Sequence, residues 1–235
     1  PWTSIANTQL DYLTLVQNSE VTGIYGISFW IILLNVSIFN WIDRPYPWHS
    51  FSVICIFIVP WITGLCLTPQ PQLNYGPTLD VAVIQPNIHL SQKWIPGGVR
   101  ANIQSLLTLS KPGIKEGVDL VIWPESATSS YILQGDQYYL KWIQSELDNS
   151  KLLSGIPYYS GDKEDRYFYN SVTLISSDSV STPYHKMILV PMAEHIPLAD
   201  YFPSLKKLNL GQANFTHGKE YTIFNVKNTS IAAMV

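Results

Sequence analysis

Three ionisable residues stand where an α/β chain could use them for chemistry: Glu125, Lys186 and Glu194. Glu125 follows Val118–Trp123 (VDLVIW) and Pro124. The apolar run reads as a strand buried on both faces, and Pro124, which has no N–H to donate, ends its ladder. Glu125 is thereby delivered at the carboxyl mouth of the strand, where open α/β sheets place their sites. A carboxylate there can act as a general base. The same position equally suits a glutamate that opens the next helical segment. Lys186 sits between His185 and the apolar Ile188-Leu189-Val190-Pro191. It either sets a fixed positive charge near Glu125 or lays its stem on apolar surface with its head in water. Glu194, within Met192-Ala193-Glu194-His195-Ile196-Pro197, is a further carboxylate in an apolar setting. His185 and His195 lack metal-ligand spacing to any Cys or Asp, so no metal site is predicted.

The elements that must hold these residues alternate in type. Leu79–Gln85 (LDVAVIQ) reads as a buried strand stopped by Pro86-Asn87. Gly98–Ser110 has helical spacing through Val99, Ile103, Leu106 and Leu107 and is expected to end at Lys111-Pro112-Gly113. Val118–Trp123 is the next strand, Gln137–Asp148 an amphipathic helix, and Lys151–Ile156 and Tyr169–Ile175 are further strands. Tyr221–Val226 and Thr229–Val235 suggest a hairpin around Lys227-Asn228. Strands alternating with helices and then turning β-rich indicate a layered α/β domain.

Charge divides the 235 residues into two parts. Of 14 Lys and Arg and 17 Asp and Glu, only Asp11, Glu20, Asp43, Arg44 and Asp80 lie at or before position 80. Charged residues are 13% of the chain, about half the roughly 25% usual in soluble domains. Two uncharged stretches, about 24–42 and 51–67, approach the roughly 20 apolar residues of a membrane-spanning helix. Pro60 lies inside the second, as membrane helices tolerate. Arg44, in the connector Asp43–Ser50, places that loop on the cytoplasmic side by the positive-inside rule. The expected division is a membrane part with its linker over 1–78 and a catalytic-type domain over 79–235. A net charge of −3 without a basic cluster argues against nucleic-acid binding. Cys55 and Cys66 lie in the second apolar stretch and read as inert thiols.

The phrases LDVAVIQPN, VDLVIWPES, YFYNSVTL and YHKMILVPMAEHIP, in that order, resemble the nitrilase-type amidohydrolase domain. Gln85-Pro86-Asn87 with Trp94, Trp123-Pro124-Glu125, and Tyr184 through Glu194 make the chain similar to the apolipoprotein N-acyltransferase family in particular. Pro1-Trp2 and Gly23–Phe29 are similar to the segment entering a late membrane helix of that family. The resemblance implies a nitrilase-like αββα sandwich preceded by two transmembrane helices. It implies Glu125 as base, Lys186 as oxyanion donor, and Trp94 and Glu194 lining the site. It also implies a Cys nucleophile immediately after Val235, beyond Ile231–Val235 (IAAMV). Met192-Ala193 departs from the Phe-Gly common in the family.

The activity the resemblance implies is transfer of a fatty acyl chain from a phospholipid, through a Cys thioester, to the N-terminal amine of a diacylglyceryl-Cys lipoprotein. It implies no cofactor, a monomer, and a multi-pass protein of the bacterial inner membrane with its catalytic domain on the periplasmic side. Two alternatives stand beside it: a membrane-attached amidase acting on a small amide, and a non-catalytic lipoprotein-binding relative. The apolar loop segments Tyr131-Ile132-Leu133 and Leu198–Pro203 favour the acyltransferase.

Overall fold

The computed structural model describes residues 3–68, 76–89, 93, 95, 97–135, 137–163, 165–198, 201–202, 204–205 and 213–233. The chain forms two compact units, Pro1–Tyr75 and Gly76–Val235.

In the first unit a 3-10 turn, Ile5–Gln9, and a single helical turn α1, Leu13–Val16, precede two long helices, α2 (Ser19–Asp43) and α3 (Pro47–Leu67). Both have the length and apolar composition needed to cross a membrane, at 25 and 21 residues. At Gly23 the backbone leaves helical geometry (φ 64°, ψ −179°), so the unbroken helix begins at Ile24. Ile27 and Ile31 pack with Ala6, while Phe29, Ile32, Val36, Phe39, Phe57 and Ile62 are exposed. Apolar surface on that scale is costly in water and costless in hydrocarbon. Gly64 is buried because a Cβ there would overlap the Thr14 carbonyl of α1.

Pro60 explains how the two long helices join. Without an N–H at position 60, the Ile56 carbonyl loses its partner within the helix. The Trp30 indole of α2 supplies the missing donor, with Nε1–H on the Ile56 oxygen at 2.6 Å. The Asn18 amide likewise donates to the Pro60 carbonyl at 2.7 Å, and Thr63 Oγ1 donates to Asn18 Oδ1 at 2.6 Å. Where no water can substitute, such bonds hold helices together. Trp30→Phe is therefore expected to destabilise the helix pair by about 1–2 kcal/mol. In a Pro60→Ala background, where residue 60 regains its N–H, the same substitution should cost clearly less. Unfolding midpoints of the four-member cycle in detergent test this; equal costs in both backgrounds contradict it.

The second unit is built on a five-stranded mixed sheet in the order β1-β2-β3-β4-β5: Val81–Val83, Leu120–Ile122, Lys151–Ser160, Tyr167–Ile175 and Tyr184–His185. The first three strands are parallel, with Val81 opposite Leu120 and Leu120 opposite Lys151; β3, β4 and β5 pair antiparallel. Alternation along the strands splits the core into two layers. Val121, Leu152, Ile156 and Ile175 face α4 (Gly98–Glu116) and α5 (Tyr138–Ser145) through Ile103, Leu106, Leu107 and Ile143. Leu120, Leu153, Val172 and Leu174 face the other way, onto Phe224 and Val226 of a second, two-stranded antiparallel sheet of β6 (Ile223–Val226) and β7 (Thr229–Ala232). The described residues thus supply a helical layer and two β layers, and the mixed α/β class stands as expected. Lys227, at the predicted hairpin turn, has the left-handed φ of 49°.

The expected stop of α4 at Pro112 is wrong. The helix continues to Glu116 and ends at Gly117, whose φ of 78° suits the cap. Packing outweighs the lost hydrogen bond: Ser110 and Ile114 are buried, and a Cβ on Gly113 would come 2.8 Å from the Ala82 side chain of β1. The second helix is shorter than predicted, closing at Ser145, and β3 is longer, reaching Ser160.

Candidate active site

Trp123, the last residue of the apolar run after β2, is locked in the core. Its indole donates to Ser110 Oγ at 2.9 Å, and that hydroxyl donates to the Leu106 carbonyl. From this anchor Pro124-Glu125-Ser126 turns across the middle of β3, with Ser126 at a φ of 49°. The turn runs so close to β3 that a Cβ on Gly155 would stand 2.7 Å from Glu125 Cα, the Pro124 oxygen and the Ser126 nitrogen. Ala127 N–H then pairs with the Gly155 carbonyl at 2.9 Å. Glycine at position 155 is what allows Glu125 to sit there.

Lys186 enters from the end of β5. Its N–H pairs with the Asn170 carbonyl of β4 at 2.8 Å, and the Gly218 N–H donates to the Lys186 carbonyl at 2.9 Å. The alternation that turns Tyr184 into the hairpin-facing layer turns Lys186 the same way. His185 points to the opposite face, stacked on Tyr169 at 4.3 Å and bonded through Nδ1 to Ser171 Oγ at 2.7 Å. Burial pulls its imidazole down, toward the neutral form. Glu194 comes from a loop closed by the Glu194 N–H on the Val190 carbonyl and the Met192 N–H on the His195 carbonyl. Met192 itself takes a left-handed φ of 67°.

These segments bring the three predicted residues together. Lys186 Nζ lies 3.3 Å from Glu125 Oε1 and 3.0 Å from Glu194 Oε1. Asn170 Nδ2 bridges the same two carboxylates, donating to Glu125 Oε1 and, at 3.3 Å, to Glu194 Oε1. The two carboxylates are not equivalent. Glu194 is 14% exposed, and its Oε2 accepts the Val190 N–H at 2.8 Å, so both of its oxygens are engaged. Glu125 is 50% exposed, and the side-chain hydrogen bonds it accepts from Asn170 and Lys186 both fall on Oε1. Burial pulls the Lys186 ammonium down, but its hydrogen bond to Glu194 and the charges of both glutamates outweigh that and raise its pKa. Burial likewise pushes Glu194 up, and the Val190 N–H and Lys186 bring it net below the usual carboxylate range. The cluster holds a fixed ammonium between one largely enclosed carboxylate and one accessible one.

Asn170 and Lys93 also belong to this cluster and were not singled out from sequence. Asn170 is 2% exposed, on β4 within YFYNSVTL; a buried amide inside an apolar strand was the available signal. Lys93 Nζ donates to the Glu125 carbonyl at 3.3 Å, and burial lowers its pKa against the raising effect of the Glu125 charge. Trp94, the other site residue expected from sequence, lies outside the described residues, as do Met234 and Val235. Cys55 and Cys66 are free thiols on α3.

The model of the carbon-nitrogen hydrolase family matches residues 80–235, and that of the apolipoprotein N-acyltransferase N-terminal domain matches residues 1–37. A Geobacter metallireducens protein named apolipoprotein N-acyltransferase is 31% identical over 247 residues, covering 100% of this chain and 47% of that protein. A Chlorobaculum tepidum protein of the same name is 27% identical over 251 residues, covering 95% and 47%. The chain therefore spans about half the length of the curated relatives it matches. Among solved structures, an amidase from Nesterenkonia overlaps with a TM-score of 0.42 at 16% identity, covering 67% of this chain and 57% of that one. With a family match that takes in the whole sheet, both helices of the second unit and all three clustered residues, the chain belongs to the carbon-nitrogen hydrolase family.

Proposed function

We propose that the chain is the catalytic half of a lipoprotein N-acyltransferase, with Glu125 and Lys186 as catalytic residues. The observation that carries this is the placing of the half-exposed Glu125 side chain and of Glu194 at 3.3 and 3.0 Å from Lys186 Nζ, with Glu125 61 residues away from the lysine in sequence. In the proposed reaction a cysteine supplied directly after Ile231–Val235 gives its proton to Glu125 Oε2. A free thiol has a pKa of about 8.5, so near neutral pH it needs such a base. The thiolate attacks the carbonyl carbon of a phospholipid ester. Lys186, held protonated, stabilises the tetrahedral oxyanion, which collapses to a thioester as the lysophospholipid alkoxide takes the proton back from Glu125. The amine of a diacylglyceryl-Cys lipoprotein then attacks the thioester, forms the amide and regenerates the thiol. Glu194 acts through Lys186, fixing its charge and position, and Trp94 lines the site. Ile231 and Ala233 pack in the same layer as Tyr184 and Val172, which supports a nucleophile close to Lys186.

The two apolar helices and the apolipoprotein N-acyltransferase relatives support a membrane-associated protein. The finer proposal is a multi-pass, monomeric inner-membrane protein, with residues 1–78 as its membrane part. The Arg44 loop is cytoplasmic and the 79–235 domain periplasmic. Reaction of cysteines placed at positions 44 and 162 with an impermeant reagent on the same side of intact membranes would overturn that topology. The activity itself is tested by giving the complete protein a phospholipid with a labelled acyl chain and a diacylglyceryl-Cys peptide. Label should appear on the peptide amine. Turnover of small amides without acyl transfer would establish the amidase instead.

A further inference from the structure

Beside the carboxylate–lysine cluster the fold leaves two cavities that share a wall. One, of about 540 Å³, has a mixed lining and carries Arg166 and Lys219 with Asp165 as the one carboxylate among the described residues that line it. The other, of about 260 Å³, is apolar, with Leu189, Leu198 and Tyr201 among its lining. The wall between them is the pair His195 and His217, whose rings meet edge to face at 4.9 Å and which line both cavities. Each imidazole has its Nδ1 on a backbone carbonyl, His217 on Met187 at 2.8 Å and His195 on Phe215 at 3.2 Å. The wall is continuous with the cluster: His195 follows Glu194, and the Phe215 N–H donates to the Glu194 carbonyl at 2.8 Å.

We infer that the larger of these two cavities, through its charged residues, binds the phosphodiester headgroup of a glycerophospholipid whose apolar portion reaches the neighbouring pocket. The Arg166 guanidinium lies 4.4 Å above the Tyr159 ring, which orients its plane and leaves its edge donors for a phosphate. Lys219 adds a second positive charge on the same cavity. Asp165, steadied by the Tyr167 hydroxyl at 3.5 Å, is the acceptor for a headgroup hydroxyl or ammonium. A free phosphate would satisfy Arg166 and Lys219 but would have no use for Asp165 or for the apolar pocket. An amphiphile with a phosphodiester would draw on the charged residues of the first cavity and the apolar residues of the second. This assignment rests on the acyl-transfer reading for its placement of the acyl donor, and it names where that donor's headgroup sits.

The test is direct binding by the whole chain in neutral detergent, with calorimetry of dihexanoyl phosphatidylethanolamine, glycerophosphoethanolamine and inorganic phosphate. The short-chain lipid should bind tightest, the soluble phosphodiester more weakly, and inorganic phosphate weakest. Arg166→Gln combined with Lys219→Gln should weaken the lipid at least tenfold, and Lys115→Gln, on the exposed end of α4, should not. Unchanged lipid affinity in the double variant overturns the assignment. So does inorganic phosphate binding as tightly as the lipid, which would mark a site for the free ion. Lipid binding that depends on Arg166 and Lys219, in a complete protein forming no acyl-enzyme, would sink the acyl-transfer reading and leave the cavity standing. Normal acylation with lipid affinity indifferent to both side chains would do the reverse.

Discussion

In Glu125→Gln, acyl-enzyme formation is expected to fall by about 10²–10⁴-fold while the protein stays folded. The substitution keeps the shape of the side chain and its ability to accept hydrogen bonds from Asn170 and Lys186 at one oxygen. It removes the basic Oε2, on which deprotonation of the thiol depends. Lys186, 9% exposed, keeps its ion pair with Glu194 at 3.0 Å, so the loss of the Glu125 charge leaves no buried group stranded. Stability should therefore change little, and the unfolding midpoint provides the control. The loss should shrink as pH rises toward the ordinary thiol value of about 8.5, because solvent then does the work of the base. A loss that stays constant with pH would mean that Glu125 acts by position alone.

Lys186→Ala should be the more damaging substitution, because it fails in two ways. Acylation loses its oxyanion donor, a contribution of about 3–4 kcal/mol. The fold loses the cation between two carboxylates, one of which, Glu194, is 14% exposed. Removing one partner of a buried pair strands the other, typically at about 3–5 kcal/mol; half-exposure of Glu125 places this site at the low end. The pH dependence of wild-type stability carries the same signature. Lys186 has its pKa raised in the fold, so its contribution is complete below the unfolded value of about 10.4 and is lost as pH climbs through the folded value above it. Glu194 has its pKa lowered, so its contribution is present above about 4.3 and is lost as pH falls through the folded value below that. The part of the stability owed to the Lys186–Glu194 pair should be flat between these limits and fall on both sides. In Lys186→Ala the alkaline limb should disappear. Since Glu125 and Lys186 act on one step, the double variant should acylate little worse than either single one.

Parts of this site were legible in the sequence because they follow from chain direction. A doubly buried strand must end somewhere, and Pro124 ends it with Glu125 at the mouth. The strand Tyr184–His185 was not among those expected from sequence, and only in the fold does alternation through it fix the side on which Lys186 emerges. What sequence could not give is the third dimension. Asn170 looks like one polar residue among several in β4 until pairing with β5 sets its carbonyl on the Lys186 N–H and its amide between two carboxylates. Gly155 is an ordinary strand glycine until the Glu125 turn is seen to pass within 2.7 Å of where a Cβ would be. Pro112 was misleading for the opposite reason. Its local preference is a helix stop, and the burial of Ile114 together with the Gly113–Ala82 contact overrides it. In the first unit, Pro60 marked a break but gave no hint that Trp30 repairs it.

The most direct test of the acyltransferase account is the intact mass of the complete protein after brief exposure to a phospholipid of one defined acyl chain, without acceptor. The account predicts a mass increase of one acyl group on a cysteine just beyond Val235. That adduct should be removed by neutral hydroxylamine, accompanied by an equal amount of lysophospholipid and nearly absent in Glu125→Gln. An unmodified protein, or equal acylation of wild type and Glu125→Gln, would contradict it.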